Sequence, residues 1–169
     1  MRDDRHKWAP LASGTVVDLR TATLTPVKLH RQTLISGPDV LRQTELPVVE
    51  WPDVIGQESY ALSLRRDRVL MVNGAAIATG WDQAKSWAVS NASDAFAVFD
   101  LSGADAFDLL TRGAELSLDS PSNSVTRRLF GLDVMLYRAA LPDPTYRLHV
   151  ATAMQDALIN HLSSAAAHL

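Results

Sequence analysis

From Tyr60 onward, apolar positions come in short runs separated by charged or turn-forming residues, and their spacing switches between that of strands and that of helices. Residues 60–64 and 68–72 read as two strands on either side of Arg65-Arg66-Asp67. Asn73-Gly74 suits a tight turn that needs positive φ, so residues 75–79 are expected to return as a further strand ended by Gly80. Asp82 is placed to cap a short helix running through Ala88, with Ala84 and Trp87 on one side. Residues 96–99 read as a buried strand. Ser102 then stands where an N-cap belongs, Asp105 completes a variant capping box, and Gly113 fits the position after a last helical turn. The spacing predicts a helix over 103–112, with Ala106, Leu109 and Leu110 on its apolar stripe and Phe107 at the margin.

Beyond a loop rich in turn formers (119–124), residues 125–130 and 133–139 read as two strands joined around Gly131-Leu132. Pro142-Asp143-Pro144 makes another turn, 146–150 a further strand, and 153–167 a closing helix with Met154, Leu158, Ile159 and Leu162 at core spacing. This order describes an α+β fold in which antiparallel sheets carry helices on one side. The stretch before residue 59 is different. Five of the eight prolines fall there (Pro10, Pro26, Pro38, Pro47, Pro52), which shortens any helix or central strand. Short strands are possible at 15–19 and 48–51, and residues 1–12 are expected to be disordered. The reading is an irregular segment, 1–58, packed on a core formed by 59–169, the whole making one compact domain.

Composition narrows the function more than it changes the fold. The 169 residues fit a prior of about 100–200 residues per domain. With no cysteine, disulfides, thiolate metal sites, iron–sulfur clusters and a thiol nucleophile are excluded. A net charge of −3 argues against a general nucleic-acid binder, whose domain would carry a basic excess. No run approaches the roughly 18 apolar residues of a membrane span. The charged start, Met1 to Lys7, lacks the apolar run of a secretory signal, so a cytoplasmic location is expected.

The search for chemistry is mostly one of elimination. All eight glycines are isolated, so neither the dinucleotide turn nor the phosphate loop is present. His6, His30, His149, His161 and His168 form no i, i+4 pair, and they read as solvated rather than as metal ligands. Ser36-Gly37 and Ser102-Gly103 lack the nucleophile-elbow pattern. Asp100, Asp105, Asp108, Glu115 and Asp119 are spread along a helix and its flanks, and capping and solubility account for them. Trp81 and Trp87 read as core or interface residues. Arg127 and Arg128, in a strand with Val125, Leu129 and Phe130, offer two readings: one faces a partner or an anionic group, or one is solvated and the other lies along the sheet. No catalytic residue and no metal site is expected, and cofactor-binding residues are not identified. The candidate partner surface is Trp81, Trp87, Arg127, Arg128 and Tyr137.

The run from Phe96 to Leu110, with Ser102-Gly103-Ala104-Asp105-Ala106 at its centre, resembles the strand, Ser-Gly-x-Asp-Ala, helix segment of the gamma-subunit family of heterotetrameric sarcosine oxidases. It is also similar to segments of aminomethyltransferases and folate-binding regulators. Thr126-Arg127-Arg128-Leu129-Phe130 with Asp133 to Arg138, and Tyr146-Arg147-Leu148-His149-Val150 leading into Met154 to Leu162, resemble the later strands and last helix of that subunit. The resemblance spans about Val69 to Leu162. At Ala114 and at Ala151-Thr152 the chain departs from the cysteine and the Arg-Ser pair that members often carry there.

The resemblance implies a fold like the folate-binding domain of aminomethyltransferases and an accessory chain that binds no cofactor itself. It implies large partner subunits that carry FAD, FMN, NAD and tetrahydrofolate. In that setting the complex oxidises sarcosine, or a related N-methyl amine, and passes the one-carbon unit to tetrahydrofolate. The alternative it leaves open is a stand-alone folate-binding protein of the aminomethyltransferase type.

Overall fold

The computed structural model describes residues 16–141 and 143–169; the expected disorder of residues 1–12, the expected solvation of His6 and part of the 142–144 turn lie outside them. In chain order the elements are β1 (Val17–Asp18), β2 (Ala22–Pro26), β3 (Gln32–Ser36), α1 (Val40–Gln43), β4 (Val48–Val49), β5 (Val54–Ile55), β6 (Tyr60–Arg65) and β7 (Arg68–Val72). There follow β8 (Gly80–Asp82), β9 (Trp87–Asn91), β10 (Phe96–Gly103), α2 (Ala106–Gly113), β11 (Thr126–Leu129), β12 (Leu132–Ala139), β13 (Thr145–Ala151), a 3-10 turn (Thr152–Met154) and α3 (Gln155–Ala166). The fold is α+β, with two sheets, α2 and α3 lying against the first and the short α1 against the second.

The first sheet runs β1-β2-β10-β13-β12-β11, with β5 added in parallel to β12. The second runs β4-β6-β7-β3-β9-β8, antiparallel except for β4 and β6. Strand alternation sends side chains to opposite faces. One face of the first sheet, with Phe99, Leu101, Val134, Leu136, Tyr146, Leu148 and Val150, packs on Leu109 and Leu110 of α2 and Leu158 and Leu162 of α3. Its other face meets the second sheet: Met135, Tyr137 and the preceding Val125 share a core with Tyr60, Leu62, Leu70 and Val72. The far side of the second sheet is closed by Val40 of α1 and by Ile77 over Ile35, Val69, Trp87 and Val89.

Several local expectations change. Residues before 59 are less irregular than their prolines suggest, since β2 pairs with β10 and β3 lies between β7 and β9. Pro26 ends β2, where a missing N–H does little harm. Residues 75–79 form no strand, because Asn73 is spent elsewhere: its side-chain oxygen accepts the His30 and Arg31 N–H groups at 2.9 and 3.3 Å. The expected helix from Asp82 to Ala88 is a hairpin. Asp82 does cap, accepting the Ala84 and Lys85 N–H groups, but the chain turns back at Ser86 (φ 54°), and burial of Trp87 and Val89 with Ala88 and Ser90 exposed has the period of a strand.

The helix after β10 starts three residues late. Ser102 is not its cap but a rung of the sheet, paired with Thr145 and Thr23. Gly103 follows at φ 115°, and a Cβ there would sit 2.5 Å from the Thr21 carbonyl oxygen, so only glycine lets β10 lie this close to β2. Asp105 accepts a hydrogen bond from the Thr21 hydroxyl instead of capping with its side chain. At the other end, Gly113 is the last helical residue, and a Cβ would meet the Phe130 ring at 2.7 Å. The β11–β12 turn falls at Phe130-Gly131, both at positive φ, one residue before the expected place. Met154 is exposed, in the 3-10 turn ahead of α3.

Candidate functional site

The side chains best placed for chemistry lie between the two sheets. On β10, β13 and β12, Asp100, Arg147 and Tyr137 are cross-strand partners in one row, and His149 stands two residues further along β13. From the second sheet Gln32 and Tyr60 meet them, each paired with Val72 of β7 in the same row. The His149 Nδ1 lies 2.8 Å from the Gln32 Oε1, its Nε2 lies 2.8 Å from the Tyr137 hydroxyl, and the two tyrosine hydroxyls are 2.6 Å apart.

The donors in this chain can be assigned from its ends. The Gln32 amide nitrogen lies 3.4 and 3.5 Å from the Ser93 and Phe96 carbonyl oxygens, which fixes its oxygen toward His149. That oxygen only accepts, so Nδ1 carries the proton and Nε2 accepts from Tyr137. Tyr137 then accepts from Tyr60. Tyr60 in turn accepts a long contact, 3.4 Å, from Arg147. Arg147 closes the array through a bidentate pair with Asp100, at 2.7 and 2.9 Å.

Electrostatics agrees with that assignment. Complete burial, aided by the Arg147 charge, pulls His149 from its ordinary 6.5 down to about 3, so the imidazole is neutral. Burial and the neighbouring Tyr60 push Tyr137 well up, so its hydroxyl keeps its proton. The hydrogen bonds to Asp100 raise Arg147 and hold its charge. Each group is committed to another side chain, and the array ties strands of one sheet to strands of the other.

Sequence reasoning missed most of these residues. His149 was expected in solvent and is fully buried; Asp100 was expected to serve capping or solubility and holds Arg147 instead. The reason lies in the one-sided picture of the sheet. In Tyr146-Arg147-Leu148-His149-Val150 the alternation is that of a half-buried strand, whose polar face would normally be wet. The signal that a second layer covers it is the unbroken apolar run Val134 to Tyr137 on the neighbouring strand, which requires both faces to be buried.

The candidate partner residues do not gather in one place. Tyr137 is in the chain just described, and Trp87 is core, with its indole N–H 3.4 Å from the Pro38 carbonyl. Neither can reach a partner from there. Trp81 is 62% exposed on β8, the edge of the second sheet. Arg128 extends into solvent beside Asp133, at 3.5 Å. Arg127 lies over the face of buried Trp51 and donates to the Ser124 and Thr126 carbonyls at 2.8 Å; partial burial lowers its pKa. Trp51, Arg127 and Glu115 border a depression of about 320 Å³. A larger, mainly apolar one of about 530 Å³ lies by the stacked rings of Phe107 and Tyr146. Among the described residues no group of three or more His, Asp and Glu side chains could hold a metal ion. No described helix is long and apolar enough to cross a membrane.

Compared with protein-family models and with curated proteins, the sequence has no match. Compared as a fold, the chain is similar to a chain in the structure of heterotetrameric sarcosine oxidase from Corynebacterium sp. U-96 in complex with pyrrole 2-carboxylate. The TM-score is 0.65 at 18% sequence identity, over 90% of this chain and 87% of that one. The α+β fold built here from two sheets and a helical layer is therefore shared, nearly end to end, with a chain of a heterotetrameric oxidase.

Proposed function

We propose that this chain is an accessory, non-catalytic subunit of a cytoplasmic oxidase complex of the sarcosine oxidase type. In this reading larger partner subunits hold FAD, FMN, NAD and tetrahydrofolate. They demethylate sarcosine or a related N-methyl amine and transfer the one-carbon unit to the folate, while this chain packs against them. The observation that carries the reading is the extent of the fold likeness. It runs over 90% of this chain and 87% of that one, which supports reading this chain as the counterpart of a whole chain of that heterotetramer.

Two features support it. The titratable groups gathered between the sheets are committed to one another, with His149 neutral and Asp100 held by Arg147. At the surface, Trp81 is exposed on a sheet edge, and aromatic residues and arginine are enriched at subunit interfaces. Co-expression with the large subunits of an N-methyl-amine oxidase is expected to give a yellow complex that contains this chain. Recovery is expected to fall for Trp81→Ser. Assembly of the other subunits without this chain would sink the proposal. Calorimetric titration of the isolated chain with tetrahydrofolate separates the alternative, since micromolar binding there would mark a stand-alone folate-binding protein.

A further inference from the structure

The outer face of the second sheet carries a depression that neither the buried array nor the proposed subunit role uses. Its volume is about 310 Å³. Arg31, Thr33, Asn91 and Ser93 line it from the strands and their ends, and Ile77 and Thr79 from the segment that was expected to be a strand. His30 also borders it, and no carboxylate does.

The lining side chains present unused donors. Thr33 sits on β3 between Met71 and Asn91 and is 5% exposed, yet its hydroxyl has no hydrogen-bond partner among the described residues. A buried hydroxyl left in that state is costly and calls for water or a ligand. The Asn91 side-chain oxygen accepts the Ser93 N–H at 3.0 Å, which leaves its NH₂ to donate. The Ser93 oxygen accepts the Gln32 N–H at 3.1 Å, which leaves its O–H to donate. Arg31 gives one N–H to the Gly74 carbonyl at 3.0 Å, so the guanidinium is steadied while its other N–H groups stay uncommitted.

An arginine at the rim, several donors along the lining and no acidic side chain select for an anion, and guanidinium suits the planar or tetrahedral oxygens of carboxylate and phosphate. The volume is at the lower end for small-molecule sites, too small for a dinucleotide. We propose that this depression binds a small molecule through an oxyanion, carboxylate or phosphate, held by Arg31 with Thr33, Asn91 and Ser93. The proposal does not depend on the subunit reading.

Titration of the ¹⁵N-labelled 169-residue chain at constant ionic strength, with sodium phosphate in one series and sodium acetate in another, tests it. Saturable shifts of the Thr33, Asn91 and Ser93 amides are expected in at least one series, and the series that saturates identifies the oxyanion. Arg31→Gln is expected to weaken binding about tenfold or more and Thr33→Val about fivefold, as loss of a charged and of a neutral hydrogen bond would. Arg128→Gln, on the other sheet, is expected to change nothing. Absence of saturable shifts in both series overturns the proposal. So does unchanged binding in both Arg31→Gln and Thr33→Val; Thr33→Val preserves shape and decides the matter if Arg31→Gln folds poorly.

Discussion

The two faces of the first sheet are made from alternate residues of the same strands, yet different physics holds them. On β13, Tyr146, Leu148 and Val150 enter an all-apolar cluster under α2 and α3. Arg147 and His149, one residue along, enter a directional array in which each donor needs its acceptor. On β12 the same division separates Val134 and Leu136 from Tyr137. Apolar contact scales with buried area and is indifferent to small shifts. A hydrogen-bonded array is not, so on the sheet–sheet face the array, set within an apolar core that includes Leu62, Leu70, Val72 and Met135, is what fixes how the two sheets align.

Substitutions on the two faces should therefore fail differently. Leu148→Ala is expected to have the largest effect, about 3 kcal/mol, from lost transfer energy and the cavity left beneath the helices. Urea denaturation measures it. A loss under about 1 kcal/mol would mean that the helices settle onto the sheet and that close packing does not govern this face.

The adjacent residue is expected to act through pH. Folded His149 takes up a proton only near pH 3, whereas its ordinary value is 6.5, so between these limits the unfolded chain binds more protons than the folded one. Stability due to this group is complete above pH 6.5 and is lost as pH falls, by about 1.4 kcal/mol per unit. From pH 6.5 to 5 that is about 2 kcal/mol. Other groups also titrate there, so the test is a difference: His149→Gln should flatten the acid limb by this amount relative to the parent. Parallel stability curves for the two proteins would show that His149 is not held neutral.

The apolar face was legible in the sequence and the polar face was not. Ala106, Leu109 and Leu110 have helical spacing, and they do pack on the first sheet. Asp82 and Ser102 misled for a common reason: short polar residues cap turns and strand ends as readily as helices, and tertiary pairing of Trp87 with Asp82 and of Ser102 with Thr145 decided the outcome. The partners of His149 could not be read locally. Gln32 lies 117 residues away on another sheet, and no periodicity within β13 reports which layer covers its polar side.

A smaller change probes the middle of the array. Tyr60→Phe keeps the ring that packs edge-on against Tyr137 at 5.7 Å, but removes the donor to the Tyr137 oxygen. Tyr137 can still donate to His149, so the cost is expected to be about 1 kcal/mol, that of one neutral hydrogen bond. A neutral result would place the specificity of the sheet–sheet contact in packing instead.

The smallest effect sets the scale for the rest. Among the described residues, the first sheet carries two arginine–aspartate pairs between neighbouring strands: Arg147 with Asp100 at 2.7 Å, with side chains 17% and 14% exposed, and Arg128 with Asp133 at 3.5 Å, with side chains 72% and 77% exposed. The sequence chemistry is the same in both. Water screens the second pair and each of its members is well solvated alone, so Arg128→Gln is expected to shift stability by less than about 0.5 kcal/mol. Loss of Asp100 would instead leave Arg147 charged and mostly enclosed, beside a neutral histidine and two tyrosines that depend on its position. If thermal melts show that Arg128→Gln costs as much as Asp100→Asn, then burial does not separate the two pairs. The contrast between the wet edge of this sheet and its covered polar face would then have to rest on geometry alone.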